Sequence, residues 1–178
     1  MKIAMSKTRE QFPLSTKKVL KKTVTNSLAW VVLFLIVYGA IAAVLLAVGG
    51  KVTLFILATL AVIVLLFIII LLVYLYQKWY YAVYFYDLTA DYIIIRKNPI
   101  TPREITIPYE RVQDVYVDQD LWDRFFGLYD VHLSSATISS GMAAHIDGVE
   151  RAAADGLRAV LLKTVQEKIS RKTNQTNK

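Results

Sequence analysis

Residues 26–48, NSLAWVVLFLIVYGAIAAVLLAV, and residues 52–76, VTLFILATLAVIVLLFIIILLVYLY, carry no formal charge and are parted by Gly49, Gly50 and Lys51. The first run is 23 residues long and the second 25. A helix rises about 1.5 Å per residue, so either run reaches across the ~30 Å hydrocarbon core of a bilayer. A three-residue connector cannot return the chain to its starting side. The two runs are therefore predicted to form an antiparallel transmembrane hairpin, with the flanking chain in one compartment. A cleaved secretory signal is disfavoured, because the first run exceeds the usual apolar region of such signals and a second span follows at once.

The formal charge of +7 is unevenly spread. Residues 1–25 hold seven Lys or Arg against Glu10, whereas residues 78–162 hold eight basic against twelve acidic groups. The stretch after the hairpin is thus mildly acidic, and the basic charge sits towards the ends. That division argues against nucleic acid as a partner. Lys17, Lys18, Lys21 and Lys22 before the first span, and Lys78 after the second, outnumber Lys51 in the connector. The positive-inside rule places both termini in the cytoplasm, in a cell inner membrane. Trp79, Tyr80 and Tyr81 suit an interfacial aromatic belt. The lysine pairs and Trp79 form one candidate lipid-facing surface, each charge contributing roughly 1 kcal/mol beside an anionic leaflet. The alternative is that these lysines do no more than set the direction of insertion.

Within the first span, Gly39, Ala43 and Ala47 recur every four residues and offer a close approach to another helix, the sister span first and a second copy otherwise. Neither span holds an ionisable side chain, which argues against a transporter. Cysteine is absent, so neither disulfides nor thiolate zinc ligands are available.

Beyond Lys78 the apolar residues alternate. Residues 80–86 are aromatic and β-rich, and 87–91 read as a turn. Ile93 and Ile95, then Ile105, Ile107 and Tyr109, then Val115 and Val117, then Tyr129, Val131 and Leu133 follow the period of strands. Asp118 or Asp120 is placed to cap a short helix ended by Gly127. From Gly148, the residues Val149, Ala153, Leu157, Val160, Leu161, Thr164, Val165 and Ile169 keep helical spacing, so a terminal amphipathic helix is expected against the sheet.

The segment from Ile107 to Val115, IPYERVQDV, followed by DRFFGL at 123–128 and DVHL at 130–133, resembles the YdbS-like bacterial pleckstrin-homology (PH) membrane proteins. A loop of small residues at 134–144 and HIDGV at 145–149 are similar to that family's entry into its last helix. The resemblance implies an α+β membrane protein: a two-helix transmembrane hairpin, then a PH-like antiparallel β-barrel or sandwich closed by a C-terminal helix. It implies little chemistry. The expected organisation is a basic arm over 1–25, the hairpin over 26–77, the PH-like domain over 78–170 and a disordered tail over 171–178.

Among the motif residues, Arg111, Gln113 and Arg124 are the candidate interaction surface, set against a structural role for Arg124 in pairing with a nearby Asp. Asp114, Asp118, Asp120 and Asp123 lack the spacing of a calcium loop and read as caps and turns. His132 is expected on a strand and His145 in a loop, without the spacing of a zinc site. Ser134, Ser135, Ser139 and Ser140 have no nucleophile elbow around them. The first hairpin loop, DLTAD, is acidic, so phosphoinositide binding does not carry over from eukaryotic PH domains. No catalytic residue, cofactor or metal is expected. The expected function is a non-enzymatic membrane protein whose cytoplasmic PH-like domain is a protein-interaction or scaffolding module, with lipids and a protein partner or second copy as its contacts. The alternative is a sensor of anionic lipid built on the basic arm.

Overall fold

The computed structural model describes residues 6–135 and 144–176. Ser139, Ser140 and most of the small-residue loop lie outside the described residues. The chain forms two compact units: Val19–Lys78, and Met1–Lys18 together with Trp79–Lys178.

The first unit is the hairpin. Helix α2 spans Lys17–Ala47 and helix α3 spans Val52–Val83, so both run beyond the apolar stretches by which they were predicted. No proline or glycine interrupts residues 77–83, and helix continues through Tyr80–Val83 where strand character was expected. At the connector Gly49 takes the left-handed conformation, φ 69°. The Gly50 N–H donates to Leu45 O and the Gly49 N–H to Leu46 O, at 2.7 and 3.2 Å. This is a Schellman stop, in which glycine bears a conformation costly to other residues. Large apolar side chains such as Ile36, Ile56 and Phe67 stand 62–67% exposed along both helices. Such a surface is suited to lipid, not water. Thr59 Oγ1 donates to Phe55 O at 2.8 Å, which leaves it accepting from Tyr38 Oη, also at 2.8 Å. The small-residue stripe does not draw the two spans together at Gly39, where a Cβ would meet nothing within 4 Å. The Tyr38–Thr59 bond is one link between the helices.

The second unit holds two antiparallel sheets. Strands β1 (Phe85–Leu88), β2 (Tyr92–Lys97) and β3 (Arg103–Pro108) form one, in that order. A 3₁₀ turn, Tyr109–Arg111, leads to the other, built of β4 (Val112–Asp118), β5 (Tyr129–Ser135) and β6 (His145–Val149), with the short helix α4 (Leu121–Phe126) between β4 and β5. Ile93, Ile95 and Ile107 of one sheet and Val115, Val131, Leu133 and Ile146 of the other are buried in a common core. The terminal helix α5 (Arg151–Thr176) adds Ala154, Leu157, Leu161 and Val165, spaced by three or four residues, to that core. Val160 and Ile169, expected on the same face, are 36% and 47% exposed. The helix starts after β6 and not at Gly148, and it continues to Thr176 because nothing in residues 171–176 breaks it.

Residues 6–18 belong with this unit and are not a separate arm. Helix α1 (Lys7–Gln11) is capped by Ser6, whose hydroxyl donates to Tyr86 O and to Asp87 Oδ1. Thr8 Oγ1 also donates to Asp87, at 2.8 Å, and Arg9 Nη1 to Tyr84 O at 2.6 Å. Burial pushes the Asp87 carboxyl up, but the bonds from Thr8 and Ser6 outweigh it and hold the group below its usual range. Leu14 bridges to Val149 and is 4% exposed, so the strap extends the β6 edge and enters the core. Three buried tyrosines are satisfied in the same way, Tyr84 Oη donating to His145 O, Tyr86 Oη to Phe12 O and Tyr109 Oη to Thr89 O. Burial raises all three phenols, Tyr109 to about 12.

The strap ends in a buried ion pair. Lys18 Nζ is 3.0 Å from Asp147 Oδ1 and donates to Asp147 O at 2.9 Å, with 2% and 6% of the two side chains exposed. The ammonium also lies 3.8 Å from the centre of the Tyr84 ring. Gly148 (φ 78°) makes room for this lysine, since a Cβ there would sit 2.6 Å from Lys18 Cδ. Lys97 Nζ stands 3.9 Å from the same Asp147 oxygen.

Asp147→Ala strands a buried lysine and is expected to cost roughly 3–5 kcal/mol of stability. Lys18→Met leaves Asp147 facing Lys97 and is expected to cost about 1–3 kcal/mol. Thermal denaturation of the detergent-solubilised chain checks the order, and equal losses would show that Lys97 gives no support.

Candidate interaction surface

The lysines proposed for a lipid-facing arm occupy different environments. Lys18 is committed to Asp147 and cannot meet head groups. Lys21 is buried, Lys22 is half-buried, and Lys17 is exposed with Glu150 at 3.8 Å. Trp79 is 51% exposed near the end of α3. The basic pairs therefore do not form one solvated stripe. The i, i+4 spacing was visible in the sequence, but the carboxylate that claims Lys18 lies 129 residues further on.

Arg111, Gln113 and Arg124 are all exposed. Arg111 closes the 3₁₀ turn, and Gln113 is the extra residue of a bulge, because the β4–β5 register steps from Val112↔Ser135 to Asp114↔Ser134. Bulges re-aim side chains and recur beside functional surfaces. Arg124 rides on α4, which follows the opposite end of β4. Seven residues of strand at about 3.3 Å each separate the two groups, so they flank one strand without converging. Helix α4 itself is tightly fixed. Asp120, the better placed of the two expected caps, accepts from Asp123 N at 2.6 Å, Asp123 returns the bond to the Asp120 N–H, and Gly127 closes the helix at φ 67°.

The outer face of the second sheet assembles a stack that the sequence did not announce. Tyr116 and His132 lie ring on ring at 4.9 Å, and His132 on His145 at 5.2 Å, across three adjacent strands. His145 is on β6, not in a loop. Asp118 Oδ1 pairs with His132 Nε2 at 3.1 Å, and Asp130 Oδ1 accepts from Gly148 N at 2.7 Å. One ligand atom each of Asp118, Asp130 and His132 falls within 4.8 Å of the others, a donor set able to hold a divalent cation. Both carboxylates already have partners within the fold. The grouping arises from the cross-strand match Asp118↔Asp130, which linear spacing does not reveal.

Several apolar side chains of this unit face outward. Leu121 is 84% exposed, Phe125 80% and Trp122 38%, all on α4. Ile100, in the turn between β2 and β3, is 68% exposed. The sequence signal for the first three was LWDRFF itself, two capped turns with more apolar surface than so short a helix can bury.

A family model described as bacterial PH domain matches residues 23–165. No curated protein and no solved structure matches the chain. The matched span takes in nearly all of the hairpin as well as the two sheets.

Burial, then the nearby Lys97, pushes the His145 imidazole down from 6.5 to about 4, with Asp147 opposing and His132 and Lys18 adding smaller downward pushes. Between those two values the unfolded chain holds a proton that the folded chain does not. This part of the stability is complete above about pH 6.5 and is lost as pH falls towards 4. His145→Asn is expected to flatten the dependence of Tm on pH across that window, measured on the full chain in detergent.

Proposed function

Since the chain belongs to the bacterial PH domain family, we propose that it is a non-enzymatic integral membrane protein whose PH-like domain works as a protein-interaction or scaffolding module at the cytoplasmic face of an inner membrane. The coarse outline is direct: a bacterial PH domain follows two helices long and apolar enough to cross a bilayer. PH domains are in general interaction modules without catalysis. The orientation rests on the excess of lysine beside the outer ends of the two spans.

One observation carries the scaffolding reading. Both chain segments that flank the spans are packed into the domain itself, through Lys18 before the first and through Tyr84, buried directly after α3. With both segments spent inside the fold, what the domain leaves for a partner is its outer surface. Its partner surface runs along β4, from Arg111 and the bulged Gln113 through the 44% exposed Tyr116 to Arg124. The second reading, a sensor of anionic lipid built on the arm, has less support because Lys18 is spent within the fold.

Cross-linking and co-purification of the full chain from native membranes in mild detergent tests the proposal. A partner or a self-associated form is expected, with Arg111→Glu combined with Arg124→Glu lowering its recovery on the order of tenfold, equivalent to about 1.4 kcal/mol. Recovery of the chain alone, as a monomer, would sink the scaffolding reading. Binding to vesicles that tracks anionic lipid and is abolished by reversing Lys17 and Lys22 would favour the sensor.

A further inference from the structure

The two ends of strand β4 carry opposite charge. Helix α4 follows its last residue, and residues 118–130 hold four Asp against Arg124, with Asp118 and Asp120 exposed. Before its first residue stands the 3₁₀ turn, on which α5 packs. The last turns of α5 are tied to that end, since Lys168 Nζ donates to Asp91 Oδ1 at 2.7 Å and Asp91 O accepts from Tyr109 N at 3.3 Å. Residues 163–178 hold five Lys or Arg against Glu167, with Lys163 and Arg171 exposed. Seven residues of strand, at about 3.3 Å each, keep the acidic end and the basic end apart.

Each end also exposes apolar side chains. Leu121 and Phe125, one turn apart on α4, are almost wholly exposed, with Trp122 beside them. Their mount is rigid: Asp123 is buried and locked in the capping box, and Gln119 Nε2 donates to Leu128 O at 2.6 Å. On α5, Leu162 and Ile169 are exposed and lie two turns apart on one face. Between the two ends, near the middle of β4, the Tyr116 ring is half-exposed. Large apolar side chains held outward on a fixed base mark a contact surface.

A surface with one acidic, apolar end and one basic, apolar end matches itself when a second copy is laid against it in the opposite direction. We infer that the domain binds a second copy of itself about a two-fold axis near Tyr116, α4 of each copy meeting the α5 end of the other. Such a contact is isologous, so both patches are used twice. Opposite potentials then face each other at both ends, and the parallel arrangement, which sets like charges together, is disfavoured. Arg124 and Glu167, each opposite in sign to its surroundings, are brought to the same place by the same operation. Three α4 side chains alone fall well short of the ~800 Å² per partner that a stable interface buries, and the reciprocal contact adds β4 and the end of α5 on each copy. The inference deepens the scaffolding reading by naming its partner and rests on that reading. It uses residues of the sheet-containing unit alone.

The test uses the purified full chain in mild detergent, followed by sedimentation velocity over a concentration series. A monomer–dimer equilibrium is expected, weakened by added salt. Asp118→Lys with Leu121→Lys reverses the exposed charge at the α4 end, and Lys163→Glu with Arg171→Glu reverses it at the α5 end. Each double variant alone is expected to raise the dimer Kd on the order of tenfold, and an equal mixture of the two to recover association as a mixed dimer. Because the chain has no cysteine, Phe125→Cys and Ile169→Cys report the same contact through a disulfide. On oxidation the two cysteine variants are expected to cross-link faster when mixed than either does alone, a reading that stands even should a charge variant misfold. A chain that is monomeric at every concentration would overturn the inference. So would a dimer that neither charge variant weakens, the mark of association through the spans. A chain that is monomeric when pure yet leaves native membranes bound to a different protein also overturns it, while the scaffolding reading stands. Recovery alone, as a monomer, brings down both.

Discussion

A lysine and an aspartate hidden from water govern how this domain is assembled. Taking two charges out of water is costly, and a buried pair is retained only where geometry and extra hydrogen bonds offset that cost. Asp147 gives Lys18 both a carboxylate oxygen and a main-chain carbonyl, and Tyr84 adds its ring face. The neighbouring residues follow from this arrangement. Position 148 is glycine because a side chain would occupy the lysine's space, and Tyr84 is buried because it roofs the ammonium. His145 stays neutral partly because two lysines stand near it.

The pair also defines what the N-terminal residues are for. By composition they look like a basic arm awaiting a membrane surface. In the fold they act as a strap, with Phe12 against Gly156 and Leu14 along β6, while Ser6, Thr8 and Arg9 satisfy polar groups of β1 and the residues just before it.

Long-period features were legible from the residues, and long-range pairings were not. The two spans, Asp120 with Gly127, and the alternating isoleucines each announce themselves within a few positions. Strand β6 escaped notice because HIDGV shows no alternation: Ile146, Asp147, Gly148 and Val149 are all buried, enclosed by the strap on one side and β5 on the other. The same strap hid the fate of Lys18. Nothing near that lysine distinguishes it from Lys17, and its partner comes into reach only after both sheets have formed. The histidine stack was missed for a similar reason, since register and not spacing brings Tyr116, His132 and His145 onto neighbouring strands.

The strap has a consequence for biosynthesis. It leaves the ribosome before either span, yet the edge it covers and the carboxylate that receives its lysine are translated after both hydrophobic segments. The two contact points are 129 residues apart, and the whole hairpin lies between them. The domain's interior therefore cannot be completed until the hairpin between its two parts has been made. A product starting after the spans would lack Leu14 and Lys18, and with them part of its own interior.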